Sequence, residues 1–352
     1  MTREAIPGRP EAADDPAATL LLGTISLDRY LGSPVVLPGG GILNIAWHWR
    51  QLGQPFRVVT RVGADDGDSI LGFLARHGIP LVGGAVVAPG ASSSIDIAIQ
   101  PDRQPDMQNF EAGVWDDVRL TAAERAALAA ARRVHLVLTE GAIAELGRLG
   151  EAGLPAHLTV SADFLGFRHY TLARFADTMR HVDLGFVGWP GDDHAPEVDA
   201  MGALAFDLQR LVVVTMGARA IRVFDGRSAP TERTFAVTPV EVAGTTLGCG
   251  DAFIAWFLDE LWRSGDLDRA VERGRQGGAL ATRWTRPLPD DAYAASSTSI
   301  APTAPEGEGR CPRSTSTPSP ATTRRSSCYP ATPTGRPGSQ PGSTAASRRH
   351  GS

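Results

Sequence analysis

The sequence predicts a three-layer α/β/α domain built on a mostly parallel sheet. Short runs rich in Val, Ile and Leu recur along the chain, they alternate with stretches of helical apolar spacing, and many of them end at Gly, Asp, Asn or Thr. Strands that are apolar on both faces belong in sheets covered by helices on both sides. In order, residues 18–25 read as a buried strand with Asp28 at its exit, and 44–52 as a helix. A strand at 56–62 and a helix at 69–77 follow. The alternation Ser94-Ile95-Asp96-Ile97-Ala98-Ile99 predicts a half-exposed strand. Strand-like runs return at 134–138, 158–162, 182–187 and 211–215, separated by helices near 122–131, 142–149, 172–179 and 198–208. Residues 221–224 and 235–237 read as a hairpin around Asp225-Gly226, and two helices close the pattern.

Composition narrows the function. With 42% hydrophobic and 21% charged residues the chain has the make-up of a globular protein. No apolar stretch approaches the roughly 20 residues that span a bilayer, and residues 1–18 lack a signal peptide's apolar centre. No membrane association and a cytoplasmic location are therefore expected. Three cysteines, Cys249, Cys311 and Cys328, suit neither a disulfide framework nor a Cys-based zinc site. All 34 basic residues are arginine. The absence of lysine excludes Walker-type phosphate loops, protein-kinase architecture and Schiff-base chemistry, each of which uses one.

One segment carries the chemistry. Gly244-Thr245-Thr246-Leu247-Gly248-Cys249-Gly250-Asp251-Ala252-Phe253 is a small-residue turn, then a carboxylate, then an amphipathic run. That order predicts a loop feeding a helix N-terminus, whose unpaired N–H groups and dipole favour an anion. Asp251 stands beside this cradle, where a general base could take a proton from a hydroxyl attacking phosphorus. Phosphoryl transfer to an alcohol is the reaction this predicts. Asp28, Gly39, Gly40, Asn44, Asp163, Thr215 and Gly217 sit at strand exits or the turns after them, where the ligands of open α/β sheets collect.

Gly-x-Gly-Asp-Ala-Phe after Thr-Thr resembles the C-terminal signature of the ribokinase-like (PfkB) carbohydrate and nucleoside kinases. Upstream, Pro38-Gly39-Gly40-Gly41-Ile42-Leu43-Asn44-Ile45-Ala46, then Leu52-Gly53 and Arg61-Val62-Gly63-Ala64-Asp65-Asp66-Gly67, resembles that family's N-terminal sugar-binding segment. The resemblance implies a ribokinase-like domain over 19–290 with a small β lid from strands near 33–38 and 92–100. It implies ATP as phosphoryl donor, Mg²⁺ beside it, and a small sugar as acceptor. Asp251 would be the base, and Gly248, Cys249 and Gly250 the backbone anion hole. Asp28 and Asn44 would hold sugar hydroxyls, with Gly39 and Gly40 letting the backbone approach. The nucleotide would lie along Thr215, Gly217, Ala220 and Thr246. The resemblance also leaves room for a homodimer through the lid.

Three positions depart from the family pattern. Thr245 stands where an Asp is usual, Gly188-Trp189-Pro190-Gly191 replaces an Asn-x-x-Glu element, and Ala220 replaces a glycine. Asp192, Asp193 or Glu197 would then be left to hold metal-bound water. The Thr-Leu-Gly-Cys-Gly-Asp stretch, residues 110–120 and Ala162-Asp163-Phe164 look most like the fructosamine (fructoselysine-type) branch, for which an acidic pocket would suit an ammonium-bearing acceptor. A nucleoside or ketose kinase, or a non-catalytic sugar-binding or regulatory member that has lost metal handling, are the alternatives.

The ends are expected to be different in kind. Residues 1–18 read as a flexible N-terminus and 291–352 as a disordered low-complexity tail. From Ser296 to Ser352 seven arginines stand against two glutamates, which leaves about −10 on the rest of a chain of net charge −5. Aromatic interleaving of the kind that binds nucleic acid is missing there, so no nucleic-acid partner is expected. The family pattern breaks after Gly277-Gly278-Ala279-Leu280-Ala281, and the Arg/Pro/Ser/Thr/Ala run beyond has the composition that a reading-frame shift in GC-rich coding DNA leaves.

Overall fold

The computed structural model describes residues 19–83, 86–167, 170–294 and the pair 298–299. In chain order the elements are β1 (Thr19–Leu22), β2 (Ser26–Tyr30), β3 (Val35–Gly39), α1 (Gly41–Leu52), β4 (Arg57–Val59), β5 (Val62–Gly63), α2 (Asp68–Arg76), β6 (Val87–Ala88), β7 (Ser93–Ile99) and β8 (Pro105–Glu111). Then come α3 (Ala122–Ala130), β9 (Arg133–Val137), α4 (Glu140–Ala152), β10 (Thr159–Gly166), α5 (Leu172–Met179), β11 (Leu184–Gly188), α6 (Pro196–Asp207) and β12 (Leu211–Thr215). The last are β13 (Ala220–Asp225), β14 (Thr231–Ala236), α7 (Cys249–Ser264), α8 (Leu267–Ala281), α9 (Asp290–Tyr293) and β15 (Thr298–Ser299).

The main sheet has eight strands in the order β14-β13-β12-β11-β10-β9-β1-β4. The six strands from β12 to β4 run parallel, and β13 and β14 close one edge antiparallel. Alternate residues of one strand enter opposite cores, as period-two geometry requires. Leu21 packs with α1, α2, α7, α8 and α9, whereas Leu20 and Leu22 pack with α3, α4, α5 and α6. Three layers result, as the sequence predicts.

The second sheet, ordered β15-β3-β2-β7-β8, is the lid. It contains the two expected strands but also β2 and β8, which the sequence did not reveal. Asp28 therefore lies inside β2, opposite Leu37 and Ile95, rather than at the exit of β1. The strand expected at 56–62 is interrupted. Thr60 and Arg61 separate β4 from β5, because Arg61 turns inward to make a buried ion pair with Glu124 at 2.6 Å.

The folded chain also continues past 290. Residues 282–288 are not a break: the Thr282 and Trp284 carbonyls accept from the N–H groups of Gly244 and Thr245, both at 2.8 Å, and Leu288 is buried. In α9, Ala292 and Tyr293 are buried, and β15 pairs antiparallel with β3. A tail boundary at 291 is therefore too early. Residues 1–18, 295–297 and 300–352, on which the remaining expectations about the termini fall, lie outside the described residues.

Candidate active site

A cavity of about 300 Å³ opens beyond the carboxyl ends of β10, β11 and β12. The sheet order reverses nearby, since β1 leads to β4 on one side while β9 to β12 extend on the other. Asp28, Asn44, Asp163, Thr215, Gly248 and Asp251 stand in its wall, and Ile95, Ile97 and Met107 of the lid face them.

Asp251 lies in the first turn of α7. The Asn44 amide donates to its Oδ2 at 2.7 Å, which joins the starts of α1 and α7. Burial raises the Asp251 carboxyl to about 6, against the effect of that hydrogen bond. Asn44 is 3% exposed and its Oδ1 has no hydrogen-bond partner.

Asp28 accepts from the Ser26 hydroxyl at 2.8 Å. Burial, with a smaller contribution from the charge of Asp251, pushes its carboxyl up to about 7, while the Ser26 bond opposes the shift. Gly39 has a different purpose from the one expected. A Cβ there would lie 2.0 Å from Asp28 Oδ2, so the missing side chain makes room for this carboxylate. Gly40, at φ 90, turns the chain into α1 and lines the cavity.

Asp163, expected at a strand exit but assigned no particular role there, stands in the cavity wall. It ends the regular part of β10, where the pairing with β11 slips between Asp163 and Gly166 and Leu165 takes φ 57. The Leu165 N–H donates to Asp163 Oδ1 at 2.8 Å. Burial and then the charge of Asp251 push Asp163 up to about 7. A short polar break after a β-branched run was the available signal, and it could not show that the strand slips.

The motif loop is arranged as expected in part. Gly248 precedes α7 at φ 80, where a Cβ would strike Pro287 at 2.7 Å, and no side chain caps the helix. Gly248 and Gly250 line the cavity. Cys249 does not belong to an anion hole in the same way, because its N–H donates to the Thr246 carbonyl at 3.2 Å. Burial, then the charge of Asp251, holds its thiol up at about 12.

Thr245 has become a structural tie. Its Oγ1 donates to the Arg103 carbonyl at 2.9 Å, the Thr246 N–H donates to the same carbonyl at 3.2 Å, and the Thr246 hydroxyl donates to Gln104 at 2.8 Å. The Arg103 guanidinium returns to the Ala243 carbonyl. The tip between β7 and β8 is thus latched to the loop that leads into α7.

Of the nucleotide-side residues, Thr215 and Thr246 line the cavity and Gly217 and Ala220 do not. The proposed metal holders are also elsewhere. Asp193 pairs with Arg219 at 2.6 Å, Asp192 accepts from the His194 N–H, and Glu197 lies in the first turn of α6. Among the described residues no three His, Cys, Asp or Glu side chains are placed to hold a metal ion.

Residues 177–286, which include the motif loop and α7, match the model of the pfkB family carbohydrate kinases. Over those residues the chain is similar to the PfkB carbohydrate kinases. Acarbose 7(IV)-phosphotransferase of Actinoplanes sp. (strain ATCC 31044 / CBS 674.73 / SE50/110) is 28% identical over 255 residues, 68% of this chain and 78% of the relative. The microbiome-derived acarbose kinase Mak1 superimposes with a TM-score of 0.59 at 20% identity, over 77% of this chain and 93% of its own. Adenosine kinase of Schistosoma mansoni gives 0.66 at 13% identity over 78% and 98%, and ribokinase of Giardia lamblia 0.62 at 16% over 78% and 96%. These likenesses show that the chain has the ribokinase-like fold. No helix among its described residues is long and apolar enough to cross a membrane.

Proposed function

We propose that this protein transfers the γ-phosphoryl group of ATP to a hydroxyl of a small sugar or sugar derivative. The observation that carries the reading is Asp251, held by Asn44 in one cavity with Asp28 and the uncapped start of α7. Asp28 and Asn44 bind acceptor hydroxyls, which both donate and accept. Asp251 takes the proton of the attacking hydroxyl. The new O–P bond forms at the γ-phosphorus, the bond from that phosphorus to the β–γ bridging oxygen breaks, and ADP leaves with the electron pair. Negative charge on the transferring group faces the N–H groups and dipole at Gly248 and Gly250, so the chain's contribution is positioning and electrostatic stabilisation. A carboxyl at about 6 is ionised at pH 7 and still basic enough to accept a proton.

The printed names of two relatives make acarbose the first carbohydrate to test. With acarbose, ribose, fructose and adenosine offered in turn with ATP, ADP release dependent on a carbohydrate is expected. Asp251→Asn should lower turnover by roughly 10² to 10⁴ with sugar affinity within a few fold. Release with adenosine alone would make the protein a nucleoside kinase. Sugar binding without any ADP release would make it a non-catalytic sugar-binding member.

A further inference from the structure

A second cavity, of about 360 Å³, lies at the other end of the sheet from the candidate active site, against the amino ends of β10, β11 and β12. Arg180, His181, Asp183 and Arg210 stand in its wall, with Leu154 and Leu158 on an apolar side. Both oxygens of Asp183 are engaged: Oδ2 accepts from the Val160 N–H at 2.8 Å, and Oδ1 pairs with Arg210 Nη1 at 2.9 Å. Asp183 therefore fixes one guanidinium in the wall. It does not satisfy that group completely, since the buried Arg210 Nε has no hydrogen-bond partner. Arg180 is freer still. Its contact with Asp177 is 3.9 Å long, between side chains that are 69% and 76% exposed, too far for a hydrogen bond and worth little in water.

We propose that this hollow binds a phosphate group, as the free ion or as the monoester of a small molecule, at a site separate from the candidate active site and independent of the kinase reading. The chemistry fits such an anion. Guanidinium groups match phosphate oxygens in geometry, and the His181 ring donates from a nitrogen in either tautomer. A plainer use for these side chains would be to cap the carbonyl ends of α4 and α5, which finish here. The backbone already does that. The Gly153 N–H donates to the Gly150 carbonyl at 3.2 Å, and the His181 and Val182 N–H groups donate to the Thr178 and Met179 carbonyls at 3.0 and 3.2 Å. The side chains of Arg180 and His181 make no hydrogen bond among the described residues, so both are left for a ligand. Position 150 is a second sign. Glycine inside a helix is unfavourable relative to alanine, yet α4 has one where a Cβ would lie 2.2 Å from His181 Nδ1. The missing side chain lets the imidazole sit against the helix at the cavity wall. At about 360 Å³ the hollow is at the lower end of the range of ligand pockets, which suits a small phosphorylated molecule with its body on the apolar side.

The test is calorimetric titration of the full chain, at constant ionic strength and without ATP, with inorganic phosphate, glucose 6-phosphate and glucose. At least one of the two phosphates should bind with a Kd of about 1 mM or below. Arg180→Gln, at a mostly exposed side chain, should weaken that binding about tenfold or more, as loss of a hydrogen bond between charged groups allows. Arg210→Gln should do the same, with a thermal melt to check its fold; where it fails to fold, Arg180→Gln carries the test alone. Glucose, which lacks the phosphate, should not respond to either variant. Tighter binding of glucose 6-phosphate identifies a monoester as the ligand, and inorganic phosphate that binds as well or better identifies the free ion. No binding of either phosphate overturns the proposal. Binding that survives Arg180→Gln unchanged overturns it too, and would put the anion at the start of α7 with the kinase reading intact.

Discussion

At Gly39 only a hydrogen atom stands beside the Asp28 carboxyl, so this glycine makes room for the side chain proposed to bind the acceptor. Gly39→Ala should displace Asp28 and raise the sugar KM at least tenfold, with a smaller change in the KM for ATP; steady-state kinetics with both substrates varied will show it. Asp163 gives a second prediction, through linkage. Its folded pKa of about 7 is above the ordinary value of 3.8, so the folded state favours the proton. The stability it contributes is complete below about pH 3.8 and is lost as pH rises through about 7. The melting temperature of Asp163→Asn should match that of the parent at pH 4 and exceed it by a few degrees at pH 7.5. The difference between the two proteins isolates this group from His48 and His135, whose buried rings have lowered pKa values and act in the opposite direction.

Among the elements, the plainest in the sequence are the strands with two buried faces, while β7 showed itself by alternation. β12, with Leu211, Val212, Val213 and Val214 all buried, shows a plain apolar run. β8 was not legible because Pro-Asp-Met-Gln-Asn-Phe-Glu is exposed along most of its length and has no apolar side to alternate. β2 follows β1 after three residues, so the two merge into one apolar run in the sequence. The turn into α7 was legible because its small residues and Asp251 are consecutive. Asp163 was legible as a strand-exit residue, but the slip of β10 and the placing of Asp192, Asp193 and Glu197 away from the cavity depend on where separate loops meet, and residue spacing does not encode that. α9 was taken for part of the tail because it is one short turn beside polar sequence. Its Tyr293 packs against Phe73, and the Ala292 carbonyl contacts the His77 ring at 3.0 Å. A chain ending at Ala294 should therefore melt several degrees above one ending at Pro289, because the shorter chain exposes the α2 face that α9 covers.

For the molecule as a whole, the latch between the lid tip and the loop before α7 joins the two sides of the site. Thr245→Val removes the hydroxyl that donates to the Arg103 carbonyl and accepts from the Leu247 N–H, at little change in volume. Each lost bond should cost about 1 kcal/mol. The expected outcome is a rise in ATP consumption without acceptor, relative to transfer with acceptor, measured as ADP formed against sugar phosphate formed. With the tip released, the segment leading to Gly248 and Gly250 keeps its bonds to the Thr282 and Trp284 carbonyls but loses those to Arg103 and Gln104. On the kinase reading, the same few bonds that hold the lid tip also keep this loop in shape, so their loss should admit water to the nucleotide and raise wasteful hydrolysis.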